Sequence, residues 1–90
     1  MRHLKLQILG KVQGVYFRAE VKNLAESLGL RGYAQNQEDG SLIVVAEGTN
    51  EDLSILKDWC KHGPDLAEVE ELKEEWTDEF KDYPDFSIRL

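Results

Sequence analysis

The sequence predicts an α+β domain in which two helices cover one face of a mostly antiparallel sheet. Three patterns indicate this class. Residues 3–8 alternate strictly between apolar and polar side chains, as a half-buried strand does. Two later segments carry apolar residues at helical spacing, and each is followed by a glycine, Gly29 or Gly63. Between them, Asp39-Gly40 separates two apolar runs, which is typical of a β-hairpin.

The first strand and the first helix follow directly from these patterns. Residues 3–8 direct leucine and isoleucine to one face and polar side chains to the other, so we expect His3 to be solvated rather than catalytic. An amphipathic helix is predicted from about Arg18 to Leu28, and Gly29 is expected to end it in a left-handed conformation. The apolar stripe of this helix consists of Phe17, Val21, Leu24, Ala25 and Leu28.

The middle of the chain is predicted to form a hairpin followed by a second helix. Residues 30–36 and 42–47 are predicted strands joined by a tight turn, which places Asn36 at the end of one arm. Thr49-Asn50-Glu51-Asp52 has the form of a capping box, which opens a helix, and Gly63-Pro64 closes that helix.

The acidic segment of residues 66–80 fits two secondary structures. Its apolar residues are spaced roughly as in a helix, and the glutamates and lysines between them also favour one. Leu72 and Trp76 equally share one face of a strand, but Val69 falls on the other face unless the strand contains a β-bulge. The residues alone leave both structures open. Residues 86–90 alternate again and are predicted to form a short last strand.

Composition and charge exclude several classes of protein. The 90 residues predict one domain, residues 1–90, and 41% hydrophobic with 32% charged residues fits a globular chain. The net charge of −7 and an isoelectric point near 4.7 argue against a nucleic-acid partner, whose phosphates call for a basic face. No apolar run approaches the ~20 residues that a membrane span needs. We therefore expect a complete, cytoplasmic, monomeric protein with no membrane partner.

Several familiar catalytic groups are missing from the sequence. Cys60 is the only cysteine, which excludes an internal disulfide, and its apolar neighbours predict a buried, inert thiol. The two histidines and the cysteine are scattered, so we expect no metal site and no cofactor. The sequence also lacks a nucleotide-binding P-loop motif. The acidic run from Glu68 to Glu79 is most simply explained as a solvated face.

The segment from Gly10 to Arg18 has the layout of an anion site. It joins the first strand to the first helix, where backbone N–H groups are unpaired and the helix dipole favours negative charge. Gly14 permits a positive φ and a close approach of the backbone to a ligand. Arg18 would add a permanently charged, planar set of donors that suits phosphate oxygens. A plain strand–helix connection with a surface arginine explains the local pattern about equally well.

Four segments, in order along the chain, resemble the acylphosphatase family. Residues 13–18, Gln-Gly-Val-Tyr-Phe-Arg, resemble its Q-G-V-x-F-R loop, and residues 32–36, Gly-Tyr-Ala-Gln-Asn, resemble its G-W-V-x-N segment. Residues 41–48 and the segment at Gly63-Pro64 are similar to the strand and the G-P-x-x-A-x-V segment that follow in the family. The resemblance spans nearly the whole chain and implies a strand near residues 67–76. The order βαββαβ(β) then predicts a ferredoxin-like sandwich with both helices on one face.

The resemblance implies an enzyme that hydrolyses acyl phosphates to a carboxylate and inorganic phosphate without a cofactor. Its catalytic pair would be Arg18 and Asn36, which occupy the arginine and asparagine positions of the family. A carboxylate leaves readily as an anion, so such an enzyme needs only phosphate binding, charge stabilisation and a positioned water. The loop that would bind the phosphate consists of Gln13, Gly14, Val15, Tyr16, Phe17 and Arg18.

Three positions depart from the family pattern, and they bear on substrate affinity more than on mechanism. Tyr33 replaces the usual tryptophan, Gln35 a frequent basic residue and Glu68 a frequent arginine. The alternative function is a non-catalytic, anion-binding regulatory module, since this fold hosts many functions. Retention of Asn36 with Arg18 favours the enzyme, because a phosphate binder needs the arginine but not the asparagine. An RNA-binding module fits less well, because the strands lack an aromatic-rich segment and the charge is acidic.

Overall fold

The computed structural model describes residues 1–90 and contains five strands and two helices. The strands lie side by side in the order 4-1-3-2-5 along one sheet. The pair formed by the second and fifth strands is parallel, and the other three pairs are antiparallel. This confirms the predicted mostly antiparallel sheet. In chain order the elements are β1 (Arg2–Lys11), α1 (Phe17–Ser27), β2 (Arg31–Asn36), β3 (Leu42–Gly48), α2 (Asn50–Cys60), β4 (Glu68–Thr77) and β5 (Phe86–Arg89).

Both helices pack against the same face of the sheet, which confirms the ferredoxin-like sandwich. Cys60 of α2 is fully buried in the core between the helices and the sheet, as predicted. Burial raises the pKa of its thiol to about 12. Neither helix is long and apolar enough to cross a membrane. The buried core takes residues from the inward faces of the central strands and from both helical stripes, among them Leu4, Leu6, Ile8, Phe17, Val21, Ala25, Val44, Leu53 and Leu56.

Local signals in the sequence set the helix ends. Gly29 follows α1 with a φ of +71°, and the N–H of Leu30 donates to the carbonyl of Ala25 at 2.9 Å. This is the Schellman arrangement expected where a glycine follows a helix. Thr49 caps α2, where its hydroxyl oxygen accepts a hydrogen bond from the N–H of Asp52 at 3.2 Å. Both predicted helix ends are therefore confirmed by their hydrogen bonds.

A β-bulge explains why the acidic segment fitted both helix and strand. In the pair formed by β1 and β4 the register shifts between Leu9 and Gly10, and Glu70 is left without a partner. This extra residue returns Val69 to the face of β4 that packs against the core. Gly10 is required at the bulge because a Cβ there would collide with the carbonyl of Glu68. The segment is therefore a bulged strand and not a helix.

The connection between β4 and β5 covers part of the sheet face opposite the helices. The backbone N–H groups of Lys81 and Asp82 donate to the two carboxylate oxygens of Glu47, at 2.7 and 3.0 Å. Nδ1 of His3 lies 2.7 Å from the same carboxylate. His3 is only 8% exposed, so the prediction of a solvated histidine is wrong. Alternation along β1 does place His3 on the polar face, but the connection buries that part of the face.

The carboxylate of Glu47 is held in its ionised form by this cluster. Burial opposes ionisation, but the hydrogen bonds from His3 and from the two backbone N–H groups outweigh it, so the pKa of Glu47 lies below its ordinary value. A folded-state pKa below the unfolded-state value stabilises the protein above the unfolded-state pKa. That stabilisation is lost as the pH falls through the folded-state pKa.

We expect Glu47→Gln to lower the free energy of unfolding by about 2 kcal/mol at neutral pH, because the amide leaves a buried N–H donor unpaired. Glu71→Gln, at an exposed position of β4, should change it by less than about 0.5 kcal/mol. Urea unfolding of both variants and of the wild type measures these effects. The deficit of Glu47→Gln should shrink at about pH 3, because this lies below the ordinary pKa of an unfolded glutamate and the wild type is then losing the stabilisation from its ionised carboxylate. An equal deficit at both pH values would contradict the ionised cluster.

Candidate active site

The loop between β1 and α1 has a left-handed backbone at two positions. Gly14 has a φ of +72° and Tyr16 a φ of +65°. Tyr16 is the N-cap residue of α1, and its side chain does not cap the helix. The loop is nevertheless anchored in the core, because Val15 and Phe17 are only 5% and 1% exposed. The two buried side chains alternate with the two left-handed residues and hold the backbone between them.

The backbone N–H groups of this loop are free. None of the six from Gly14 to Ala19 donates a hydrogen bond within the protein, and the first helical bond runs from the N–H of Glu20 to the carbonyl of Tyr16 at 3.1 Å. These donors lie at the start of an 11-residue helix, whose dipole favours negative charge there. The loop therefore offers an anion a set of unpaired donors in a favourable field.

Arg18 lies in the first turn of α1 and is anchored to the edge of the sheet. Its Nη1 donates to the backbone carbonyl of Arg89 at 3.1 Å, where β5 ends. The bond uses one of the five N–H donors of the guanidinium. The remaining donors are available to a ligand, and the bond to β5 fixes the plane of the group before a ligand arrives.

Asn36 ends β2 and lines the same pocket as Gly14 and Arg18. Its amide oxygen, Oδ1, is buried and has no hydrogen-bond partner in the protein. The adjacent turn is stabilised by other groups, since the carboxylate of Asp39 accepts hydrogen bonds from the N–H and the hydroxyl of Ser41 at 2.9 and 2.6 Å. A buried acceptor without a partner is costly and calls for a water or a ligand.

The side chain of Gln13 connects the loop to the hairpin turn. Its Nε2 donates to the carbonyl of Gln37 at 2.8 Å and to the carbonyl of Ser41 at 3.0 Å. Gln37 directly follows Asn36, so these two bonds hold Asn36 at a fixed separation from the loop. The sequence placed Gln13 in the loop but gave no sign of this role, because the two carbonyls are more than twenty residues away along the chain.

A pocket of about 350 Å³ brings these groups together. Arg18 is the only charged residue in its lining, and no histidine, cysteine or carboxylate lines it. Asn36 reaches it from β2 and Ile88 from β5. Val15 and Gln13 do not line it, because one is buried in the core and the other is bonded to the hairpin. Four of the six predicted loop residues do line it: Gly14, Tyr16, Phe17 and Arg18.

Comparison with known proteins identifies the family of this chain. The family model described as Acylphosphatase matches residues 4–88. The chain belongs to the acylphosphatase family. It is 47% identical to an acylphosphatase from Thiobacillus denitrificans over 72 aligned residues. These residues cover 80% of this chain and 81% of that protein. An acylphosphatase from Dehalococcoides mccartyi is 43% identical over 90 residues and 99% of both chains.

A solved structure agrees with this acylphosphatase assignment. The crystal structure of acylphosphatase from Bacillus subtilis matches all of this chain and all of its own with a TM-score of 0.97, at 28% sequence identity. Relatives of this similarity that share the name acylphosphatase identify the chain as an enzyme of this type.

Three departures from the acylphosphatase pattern lie outside the pocket. The ring of Tyr33 packs edge-on against Tyr83 with centroids 5.8 Å apart, and the guanidinium of Arg89 lies 3.6 Å from the centroid of Tyr33. Gln35 shares the face of β2 that carries Tyr33, and Glu68 is exposed at the start of β4. None of the three departures lines the pocket, so the exchanged charges act on it only from a distance.

We expect Gln13→Ala to lower the free energy of unfolding by about 1–2 kcal/mol, because two carbonyls of the hairpin lose their shared donor. Gln13→Glu should destabilise at least as much, since it sets a carboxylate against two carbonyl oxygens. Gln7→Ala is the matched control, because Gln7 lies on the face of β1 that points away from the helices. This variant should stay within about 0.5 kcal/mol of the wild type. Urea unfolding measures all three variants. Equal losses in Gln13→Ala and Gln7→Ala would show that Gln13 does not hold the hairpin.

Proposed function

We propose that this acylphosphatase binds the phosphoryl group of an acyl phosphate in the loop of residues 13–18 and hydrolyses it with a water held by Asn36. The observation that carries the proposal is the unpaired amide oxygen of Asn36, which lies in one pocket with Arg18. The pocket combines donors for a phosphate with a buried amide acceptor for a water, and no serine, cysteine, histidine or carboxylate lines it.

The phosphoryl oxygens accept hydrogen bonds from the free N–H groups of the loop and from the guanidinium of Arg18. Bonds between a guanidinium and phosphate oxygens are charge-assisted and are stronger than neutral ones. The carbonyl of Arg89 already holds the guanidinium in place, and the buried side chains of Val15 and Phe17 already hold the loop. Little reorganisation is then required as charge develops in the transition state.

The reaction breaks the P–O bond to the acyl group and forms a P–O bond to the oxygen of water. The leaving group is a carboxylate, which is stable as an anion at neutral pH, so no general acid is required. The proton of the water passes to a phosphoryl oxygen, and the products are a carboxylate and inorganic phosphate. Positioning and charge stabilisation then supply the catalysis.

Asn36 orients the attacking water. Its amide oxygen accepts a hydrogen bond from the water and so directs a lone pair of the water oxygen towards phosphorus. The water must lie in line with the P–O bond that breaks. The hydrogen bonds of Gln13 keep the hairpin that carries Asn36 at the required distance from the phosphate loop.

A non-catalytic phosphate binder is the second candidate, and the same amide oxygen argues against it. Such a protein would use Arg18 and the free N–H groups. An acceptor facing phosphate oxygens repels them, however, so a binding site gains nothing from a buried amide oxygen without a partner. A hydrolase uses that oxygen to hold its second substrate, water.

We expect Arg18→Lys to reduce the turnover of benzoyl phosphate at least about 100-fold while the protein stays folded, because lysine keeps the charge but loses the planar set of donors. Arg31→Lys is the matched control, since Arg31 is exposed and lies 3.8 Å from Asp82, outside the pocket. Steady-state kinetics and melting curves measure both variants. Near wild-type turnover in Arg18→Lys would remove Arg18 from the catalytic role.

We expect Asn36→Ala to lower kcat by about 10²–10³, with inorganic phosphate inhibition and melting temperature nearly unchanged, since one preorganised polar group is lost. Its amide oxygen bonds to no protein group, so its removal should cost little stability. Asn23→Ala, at an exposed position of α1, is the matched control. Unchanged kcat together with a lowered melting temperature would assign Asn36 to the fold and favour the phosphate binder.

A further inference from the structure

The rim of the pocket is apolar and exposed. Tyr16 is 72% exposed and Ile88 is 37% exposed, and both line the pocket that contains Arg18. Most large apolar side chains of this chain are buried in the core. Two exposed ones beside a single charged group give the pocket the composition of a ligand site, in which apolar walls surround a few polar anchors.

Ile88 is held beside the guanidinium of Arg18 by the backbone of β5. Ile88 lies opposite Ala34 in the parallel pair of β2 and β5, on the side of the sheet that faces the helices, as does the buried Phe86 two residues earlier. The next residue, Arg89, supplies the carbonyl that accepts the bond from Arg18. The apolar wall and the phosphate-binding cation are therefore fixed relative to each other.

The in-line geometry of hydrolysis places the acyl group at this rim. The water and the leaving oxygen must lie on opposite sides of phosphorus. The amide oxygen of Asn36 is buried, whereas the side chains of Tyr16 and Ile88 are exposed. A water bound by Asn36 therefore attacks from the inner side of the pocket, and the acyl group leaves on the side of the two exposed apolar residues.

The charge of the pocket favours a neutral acyl group. Arg18 is the only charged lining residue, and the phosphoryl group uses it. A second carboxylate or phosphate on the acyl group would find no second cation there, on a chain whose net charge is −7. Apolar walls give an apolar acyl group contacts that a methyl group is too small to make in full.

We propose that Tyr16 and Ile88 form a subsite for the acyl group and that the preferred substrates are acyl phosphates with a neutral, apolar acyl group, aromatic or branched. The proposal rests on the proposed function, because it takes this pocket as the place where the phosphoryl group binds. Ile88 is then a specificity-determining residue that lies outside the phosphate loop and is distinct from Asn36.

Stable phosphonates test the subsite without hydrolysis. Wild-type protein should bind phenylphosphonate about tenfold more tightly than methylphosphonate, and carboxymethylphosphonate no more tightly than methylphosphonate. Ile88→Ala should lose most of the preference for the phenyl group, whereas Ile88→Leu should retain it. Ile55→Ala is the matched control, since Ile55 is 49% exposed on α2 and does not line the pocket. Titration followed by the melting temperature measures these affinities.

Hydrolysis assays separate this proposal from the proposed function. The ratio of kcat/KM for benzoyl phosphate to kcat/KM for acetyl phosphate should fall about tenfold in Ile88→Ala and stay constant in Ile55→Ala. Equal binding of phenylphosphonate and methylphosphonate by the wild type, or a preference unchanged in Ile88→Ala, would overturn the subsite whatever the activity. A wild type that prefers phenylphosphonate but hydrolyses neither acyl phosphate would overturn the proposed function and leave the subsite standing.

Discussion

A left-handed backbone at Gly14 and Tyr16 separates the end of β1 from the start of α1, and the site depends on it. A tyrosine in this conformation is strained by about 1–3 kcal/mol. The strain is held by the core, because Val15 and Phe17 are buried and the ring of Phe17 packs edge-on against Trp59 with centroids 5.5 Å apart. Burial of the two side chains offsets the strain and leaves the N–H groups between them free before any ligand binds.

The directions of the strands bring the other groups to this loop. β1 and β2 both run antiparallel to β3, and β5 runs parallel to β2, so all three have their carboxyl ends at the same edge of the sheet. The loop follows β1, Asn36 ends β2, and Arg89 ends β5 beside Arg18. Two hydrogen bonds from Gln13 then join the loop to the hairpin. The site is thus assembled from three strand ends rather than from one contiguous segment.

The polar groups around Glu47 have hydrogen-bond partners on one face of the sheet, whereas the loop N–H groups and the amide oxygen of Asn36 lack them on the other. On the face away from the helices, the buried carboxylate of Glu47 is paired with His3 and with two backbone N–H groups. On the face that carries the helices, the loop N–H groups and the amide oxygen of Asn36 are left without partners. The first arrangement stabilises the connection that leads into β5. The second leaves these groups available to a water or a ligand.

The sequence by itself determined four of the five strands and the helix ends, because alternation, helical stripes, Gly29 and Thr49 act within a few residues of their own position. Its motifs also carried the family resemblance. Local pattern left the acidic segment open between helix and strand, and only pairing with β1 decided that it is a strand with a bulge at Glu70. The burial of His3, the bonds of Gln13 and the position of Ile88 beside Arg18 were likewise decided by tertiary structure. Each depends on residues at least twenty positions away in the chain, and local periodicity carries no information about such partners.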